Sequence, residues 1–404
     1  MRSCRICGKA LEACILDYGE TALANNFLTK AQLSQEEKSF PLNLFLCTNC
    51  GQVQLGDLVP PGDLFDNYLY LSSTQGFLPA HFKKLAEKIM ASLDKPSFIV
   101  EVASNDGVFL KNFIGTEHTI LGVEPAANVA EIAKKIGVRS MVAYFSKKTA
   151  TKIKEENGWA DIMMGANVFA HVPDIKDFVK GVELLLSPEG TAIFESPYLV
   201  DFIEGTLFDT VYHEHVLYLS LKPLATLFAE VGMEIVDAER TKMHGGSIRF
   251  YVKHRGAQKP APVVQELLEL EKSLKLDKKE GWKEFSHRVH ALKKELRALI
   301  EKIKGEGKTI AAYAATAKGN TLLNYVDIGR GTVMFIADKN PLKQDHYSPG
   351  KHIPIVSPEV IDEKKPDYLL ILAWNIADEI MEQLDGFKKR GGQFIIPLPS
   401  LRVI

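Results

Sequence analysis

The densest group of side chains able to move protons lies in FDTVYHEHVLYLS, where Tyr212, His213, Glu214 and His215 are consecutive and Tyr218 follows. An imidazole with an unperturbed pKa of about 6.5 is the natural general base near neutral pH. Glu214 or a tyrosine could orient it. The His-Glu-His run lacks the H-E-x-x-H spacing that sets two imidazoles on one helical face, so no catalytic metal is expected there. Read as a strand, the segment alternates its side chains between two faces, and only part of the cluster can face one cleft. A buried structural cluster is the competing reading.

A second group points to metal. Cys4-x-x-Cys7 and Cys47-x-x-Cys50 form two C-x2-C knuckles, and together they offer the four thiolates of a tetrahedral structural zinc site. Gly8 and Gly51 follow each second cysteine, where the tight turn favours a residue without a Cβ. Four sulfurs leave no open coordination position, so the metal should hold structure and do no chemistry. Cys14, the fifth cysteine, has no partner pair and is expected to be a buried apolar side chain.

A third group suggests a small-molecule cleft. FIVEVASNDGVFL reads as a strand, a turn and a helix start, with Ser104, Asn105, Asp106 and Gly107 in the turn. Ligands of open α/β sheets bind at that carboxyl edge. One glycine is too few for the G-x-G-x-x-G of a dinucleotide site. S-adenosylmethionine carries no phosphate and brings a cationic sulfonium, so acids in the loop are acceptable. Glu124, at the end of the next strand-like run, can accept from both ribose hydroxyls. Asn167 and His171 follow the run DIMM at the same edge. The cofactor-binding set is Glu101, Ser104, Asn105, Asp106, Gly107, Glu124, Pro125 and Asn167, with an α/β domain for an unrelated ligand as the bland alternative.

Elements that could carry these groups are legible in the apolar pattern. From about 75 to 250, SFIVEVAS, TILGVEP, DIMMGAN and GTAIFESP alternate with amphipathic stretches, as in βαβ units. EIVDAERTKMHGGSIRFYVKH reads as two longer strands joined at His244-Gly245-Gly246, able to close the sheet with antiparallel strands. Residues 262–304 read as a pair of connecting helices with a break at Gly281-Trp282. A second alternating series follows from KTIAAY to GGQFIIPLP. The fold expected is α/β with a zinc-binding ribbon over 1–60, a Rossmann-like methyltransferase domain over 61–255, a helical connector over 256–304 and a smaller α/β domain over 305–404.

A net charge of −2 gives no basic footprint, so nucleic acid is not expected as a ligand. No apolar run approaches the roughly 18–20 residues that span a bilayer, and the start lacks a signal peptide's apolar core. A cytoplasmic monomer without membrane contact is expected.

The sequence resembles the sugar C-methyltransferases that act on nucleotide-linked ketosugars in deoxysugar biosynthesis. The resemblance runs along the whole chain, through the paired knuckles, NYLYLSST, EVASNDG, NVFAHVPD, YHEHVLYLS, HGGSIRFY, YAATAKGNTLLNY, ADKNPLKQDHYSPGKHIPI and LILAWN. It implies methyl transfer to C3 of a nucleotide-linked (dTDP) 4-keto-deoxysugar through a base-generated enolate. It implies His215 as base, with Tyr212, Glu214, His171 and one of Tyr68 or Tyr70 completing the site. It implies that the last domain grips the nucleotide sugar through Lys318, Asn320, Asn324, Lys343 and Tyr347. One departure is Asp345, where the pattern leads one to expect glycine; a carboxylate near a diphosphate either points away or marks a changed substrate. A methyltransferase of another O- or N-acceptor, and a non-catalytic nucleotide-sugar binding protein, are the alternatives.

Overall fold

The structure is a computed structural model that describes residues 2–60, 64, 72–74, 76 and 78–404; Tyr68 and Tyr70 lie outside these residues. Its strands form three sheets. In the first, β1 (Ala13–Ala22), β2 (Ser39–Leu46) and β3 (Val53–Leu55) pair antiparallel beside the cysteine knuckles. The central sheet begins with five parallel strands: β4 (Phe98–Val102), β5 (Thr119–Glu124), β6 (Ser140–Val142), β7 (Ala160–Ala166) and β8 (Leu186–Pro197). The short β9 (Leu217–Tyr218) leaves this sheet and pairs with β3 of the ribbon, Val53 opposite Tyr218. The hairpin β10 (Met233–Thr241) and β11 (Ser247–His254) then returns to the central sheet antiparallel, giving the order β10-β11-β8-β7-β4-β5-β6.

Strand order reverses about β4, with β5 on one side and β7 on the other. That switch point opens a crevice at the carboxyl ends of these strands. All five residues of β4 are buried, as a parallel strand covered on both faces requires. One cover is the Leu78–Met90 helix, which buries Leu78, Phe82, Leu85, Ala86 and Ile89 at helical spacing. The other includes the Ile175–Leu185 helix, whose Phe178 meets Phe169 edge-on at 5.0 Å.

The third sheet holds β12 (Ile310–Tyr313), β13 (Ile336–Ala337), β14 (Ile355–Val356), β15 (Tyr368–Ile371), β16 (Gln393–Ile396) and β17 (Arg402–Val403), in the order β14-β13-β12-β15-β16-β17. It is parallel except for β17. One apolar core runs through all three sheets, from Leu44 and Leu46 in the ribbon through Phe194 and Phe228 to Leu322 and Ile336. The ribbon is therefore built into the body.

Three local expectations are corrected. The connector breaks at 274–278, between helices Pro262–Ser273 and Lys279–Gly305, and Gly281-Trp282 sits inside the second helix. A Cβ on Gly281 would lie 2.4 Å from the Lys275 carbonyl oxygen, so glycine is needed where the loop folds back on the first turn. Trp282 Nε1 donates to the Leu276 carbonyl at 3.0 Å and anchors that fold-back. The helix is a core element as well as a connector, burying Phe285, Val289, Leu292, Leu296, Ile300 and Ile303 along one stripe. Cys14 is exposed, because Ala13, Leu16 and Tyr18 take the inward face of β1. Among the described residues, no helix is long and apolar enough to cross a membrane.

Candidate active site

Both cysteine knuckles fold alike. Gly8 N donates to the Cys4 carbonyl and Gly51 N to the Cys47 carbonyl, each at 2.8 Å, with φ of +73° and +86° at the glycines. Sulfurs of Cys4 and Cys50 lie 3.5 Å apart, as do those of Cys7 and Cys47, and all four fall within 4.8 Å of one another. A tetrahedron of roughly 2.3 Å zinc–sulfur bonds has edges of about 3.8 Å, so the donor set fits zinc in a structural role.

The cofactor cleft lies where the strand order reverses. After β4 the chain turns through Ala103, Asn105 and Gly107 at φ of 57°, 48° and 78°. Glu124, at the end of β5, ties this loop down: Oε2 accepts from Asn105 N and Oε1 from Ala126 N, each at 2.9 Å. Burial raises its pKa, and each oxygen retains a lone pair for a hydroxyl. Pro125 follows, half-buried at the rim. From above, Ser72 N donates to Asn105 Oδ1 at 2.8 Å and Ser73 N to Asp106 Oδ2 at 3.0 Å.

The buried Glu101 Oε2, Ser104 Oγ and Asp106 Oδ1 have no hydrogen-bond partner among the described residues. Burial, with Glu124 and Asp106 nearby, pushes the Glu101 carboxyl well above its usual range. These orphaned oxygens at the end of β4 and in its loop want a ligand that brings hydrogen-bond partners and positive charge, which would draw the Glu101 carboxyl back toward its ionised form. S-adenosylmethionine brings an ammonium, ribose hydroxyls and a sulfonium, so these residues fit it and do not suit a diphosphate. Asn167 stands at the end of β7 with φ of 55°.

The proton-moving cluster is a turn, not the strand expected. His215 N donates to the Tyr212 carbonyl at 2.9 Å and Val216 N to the Ala170 carbonyl at 2.7 Å. The turn therefore sets the Tyr212 ring against His215 at a tilt of 34°, ring centres 4.0 Å apart, and the His171 ring edge-on to His215 at 4.9 Å. His215 Nδ1 lies 2.9 Å from the Thr210 carbonyl, which can only accept, so Nδ1 carries the proton. Nε2 then accepts from the Tyr212 hydroxyl at 2.7 Å. Burial, His171, Lys318 and His244 together hold the His215 pKa well below its ordinary value. His171 is lowered to about 4 by burial.

Glu214 and His213 turn to other partners. Asn25 Nδ2 donates to Glu214 Oε1 at 2.6 Å, and burial pushes that carboxyl up to about 7. Glu214 therefore does not orient His215; the Thr210 carbonyl and Tyr212 do. His213 is buried with Nε2 donating to the Phe40 carbonyl at 3.2 Å, which fastens the turn to the ribbon.

Residues from the third sheet meet this cluster at two places. Lys318 Nζ donates to the His244 carbonyl at 3.1 Å and lies 5.5 Å from the Trp374 ring centre. His244 Nε2 accepts from Asn167 Nδ2 at 3.2 Å. Asn320 and Asn324 line a small cavity with Thr21, Leu42, Tyr212 and His213. Their amides serve the fold: Asn320 Nδ2 donates to the Ala24 carbonyl and Asn324 Nδ2 to the Asn320 carbonyl, both at 2.8 Å. Lys343 Nζ donates to the Ala315 carbonyl at 2.7 Å, 3.9 Å from Asp338. Tyr347 bridges Leu28 and Pro354 through its backbone. Asp345 is exposed with φ of 63°, so the glycine expected there answers a left-handed backbone that aspartate also tolerates.

Sequence reasoning did not single out Asn25, His244, Trp374 or Asp209, whose Oδ2 accepts from Trp374 Nε1. His244 sits in the HGGSIRFY motif and could have been found there. Asn25 left no signal, because its contact spans 189 residues.

Residues 4–65 match a zinc binding domain family, 72–238 a methyltransferase domain family, and 242–399 the C-methyltransferase C-terminal domain family. The chain is 36% identical to the C-methyltransferase NovU of Streptomyces niveus, over 99% of this chain and 96% of that protein. A ubiquinone biosynthesis O-methyltransferase of Bartonella bacilliformis is 23% identical over 40% of this chain and 73% of its own length. A solved S-adenosylmethionine-dependent methyltransferase from Anabaena variabilis aligns at a TM-score of 0.38 with 16% identity, covering 47% of this chain and 90% of that one.

Proposed function

The chain belongs to the C-methyltransferase family and is an S-adenosylmethionine-dependent methyltransferase, and on that premise we propose that it methylates C3 of a dTDP-linked 4-keto-deoxysugar through an enolate. Carbon is not a nucleophile until it loses a proton, so such an acceptor requires a base and a place for the resulting charge. The observation that carries the reading is the Tyr212–His215 pair, with Nδ1 held by Thr210 and a lone pair on Nε2.

That lone pair is aimed at the Tyr212 oxygen, so a proton reaching Nε2 comes through it. Tyr212 takes the C3 proton as its own passes to His215. Bound S-adenosylmethionine supplies the electrophilic methyl that C3 then takes. His171 stays neutral and shields one edge of His215, while Glu214, near its midpoint at pH 7, can exchange a proton with substrate hydroxyls. Lys343 and Tyr347 are assigned to the nucleotide diphosphate, in a C-terminal unit over 305–404; Asn320 and Asn324 hold the wall beside Tyr212.

The test is incubation with a dTDP-linked 4-keto-6-deoxysugar and labelled cofactor in deuterated water, read by NMR. Label on C3 and solvent deuterium at C3 of unreacted substrate are expected. A methyl on oxygen or nitrogen would remove the enolate reading and leave a methyltransferase of another acceptor.

A further inference from the structure

The third sheet sends a cation into the seam with the central sheet. Lys318 is the second residue of the Ala317–Val326 helix, whose first turn is capped by Thr316 Oγ1 accepting from Gly319 N at 3.0 Å. Beside its ammonium stands Trp374, fixed in turn by Nε1 donating to Asp209 Oδ2 at 2.6 Å. Burial lowers the Lys318 pKa and the nearby Asp209 opposes that shift, favouring the ammonium; burial in turn lifts the Asp209 carboxyl to about 6. An ammonium offers three donors; among the described residues, the His244 carbonyl accepts one of them.

Lys318 is linked to the His215 turn through Trp374 and Asp209, whose neighbour Thr210 holds His215 Nδ1, and to the cofactor edge through His244. That residue has φ of 54°, a left-handed conformation costly outside glycine and worth keeping where a site requires it. Its carbonyl holds Lys318 while its ring holds Asn167 at the cofactor edge. The charge of Lys318 is also felt at His215, together with His171 and His244; the Tyr212 hydroxyl bonds the same imidazole and the Tyr218 ring lies 6.5 Å from it. Lys343, donating to Ala315 beside Asp338, is left for the diphosphate.

Resting on the enolate reading above, we propose that Lys318 is the electrostatic catalyst of proton abstraction, taking the negative charge that develops on the C4 oxygen of the substrate. As the C3–H bond breaks, its proton passes to the Tyr212 oxygen and the phenol proton to His215 Nε2. The freed electron pair forms the C3–C4 double bond, and the carbonyl π pair moves to oxygen beside the ammonium. Lys318 need not give up a proton. Its fixed charge also disfavours early protonation of His215, so the base is ready when substrate arrives. The grip on the nucleotide sugar that the resemblance implies for Lys318 becomes, in this proposal, a contact with the C4 oxygen.

The experiment uses the zinc-loaded full chain with S-adenosylhomocysteine bound, in deuterated water. Deuterium entry at C3 of the dTDP-linked 4-ketosugar, affinity for thymidine diphosphate, and the pH profile of exchange are measured for wild type, Lys318→Met and Lys318→Arg. The Met variant is expected to exchange about 100-fold or more slowly, as when an oxyanion donor is removed, with thymidine diphosphate affinity unchanged. Its acid limb should move to higher pH, because His215 loses a neighbouring cation; Arg should restore both limb and much of the rate. Undiminished exchange in Lys318→Met, or a loss confined to nucleotide affinity, would overturn the proposal. Absence of exchange in wild type would overturn the 4-ketosugar reading and this role with it. Should the Met variant not retain zinc, Lys318→Gln decides by the same readings.

Discussion

The cofactor loop and the proton-moving turn lie at the same edge of the central sheet but are built differently. Ser104 to Gly107 follow directly on β4, and Glu124 on the neighbouring β5 holds the loop through two backbone N–H groups. A strand, its turn and the next strand form most of its frame, with Ser72 and Ser73 closing it from above. The 212–215 turn has no such local frame. Asn25 and Phe40 from the ribbon hold Glu214 and His213, β9 pairs with β3, and Lys318 arrives from the third sheet by way of His244. One site is framed chiefly by two adjacent parallel strands and the connection between them, the other by three sheets that must all be folded. Loss of a distant part should therefore damage acceptor chemistry while sparing the cofactor.

Zinc removal should part the two sites most widely. Structural zinc contributes roughly 10–16 kcal/mol of folding energy in small domains. Chelation, or Cys47→Ser with Cys50→Ser, should release the ribbon and abolish methyl transfer, while calorimetry still detects S-adenosylhomocysteine binding. Loss of both together would break the comparison. His215→Ala should lower the rate of C3 exchange by about 10²–10⁴-fold, with Tyr212→Phe close behind because it interrupts the relay. Cofactor affinity should hold in both variants. If Tyr212→Phe kept full rate, the proton would reach Nε2 directly.

Glu124→Ala is the reciprocal change. It removes the acceptor of two backbone N–H groups and the acceptor expected from the sequence for the ribose, each contact to a charged group being worth about 1.5–3 kcal/mol. Cofactor affinity should fall by about 10–100-fold, while C3 exchange at saturating cofactor changes little.

The smallest effect concerns pH and stability. Burial lowers His171 and His244 to about 4, so their contribution is present at neutral pH and is lost as pH falls from about 6.5 toward 4. Glu214, raised to about 7, works the other way: its contribution is full below about 4.5 and is lost as pH rises through 7. Glu214→Gln should therefore gain about two degrees of melting temperature over wild type at pH 8 relative to pH 5.5, roughly 2 kcal/mol. An equal difference at both pH values would mean that the carboxyl is not desolvated.

Several parts of the molecule could be read before any fold was known. The knuckles are legible because two cysteines on one tight turn are a local geometric fact. The βαβ alternation and the β10–β11 hairpin are legible because burial on both faces demands apolar runs and a reversal demands turn residues. What failed was local context under tertiary pressure. The Gly281-Trp282 pair signalled a break, yet Gly281 lets a loop pack onto a helix that continues. Asp345 stood out as chemistry and is a matter of backbone conformation.

By itself, then, the sequence determined which groups exist and which neighbours they keep within a turn: the zinc thiolates, the acceptor-rich loop, and Tyr212 three residues from His215. Only the tertiary structure decided that Thr210 fixes the tautomer of His215, that Glu214 answers to Asn25, and that Lys318 meets the His244 carbonyl of the central sheet rather than standing apart on its own domain. Spacing along a chain fixes contacts within a few residues. Contacts such as Asn25 with Glu214 exist only because one core binds three sheets together, and no local pattern encodes that packing.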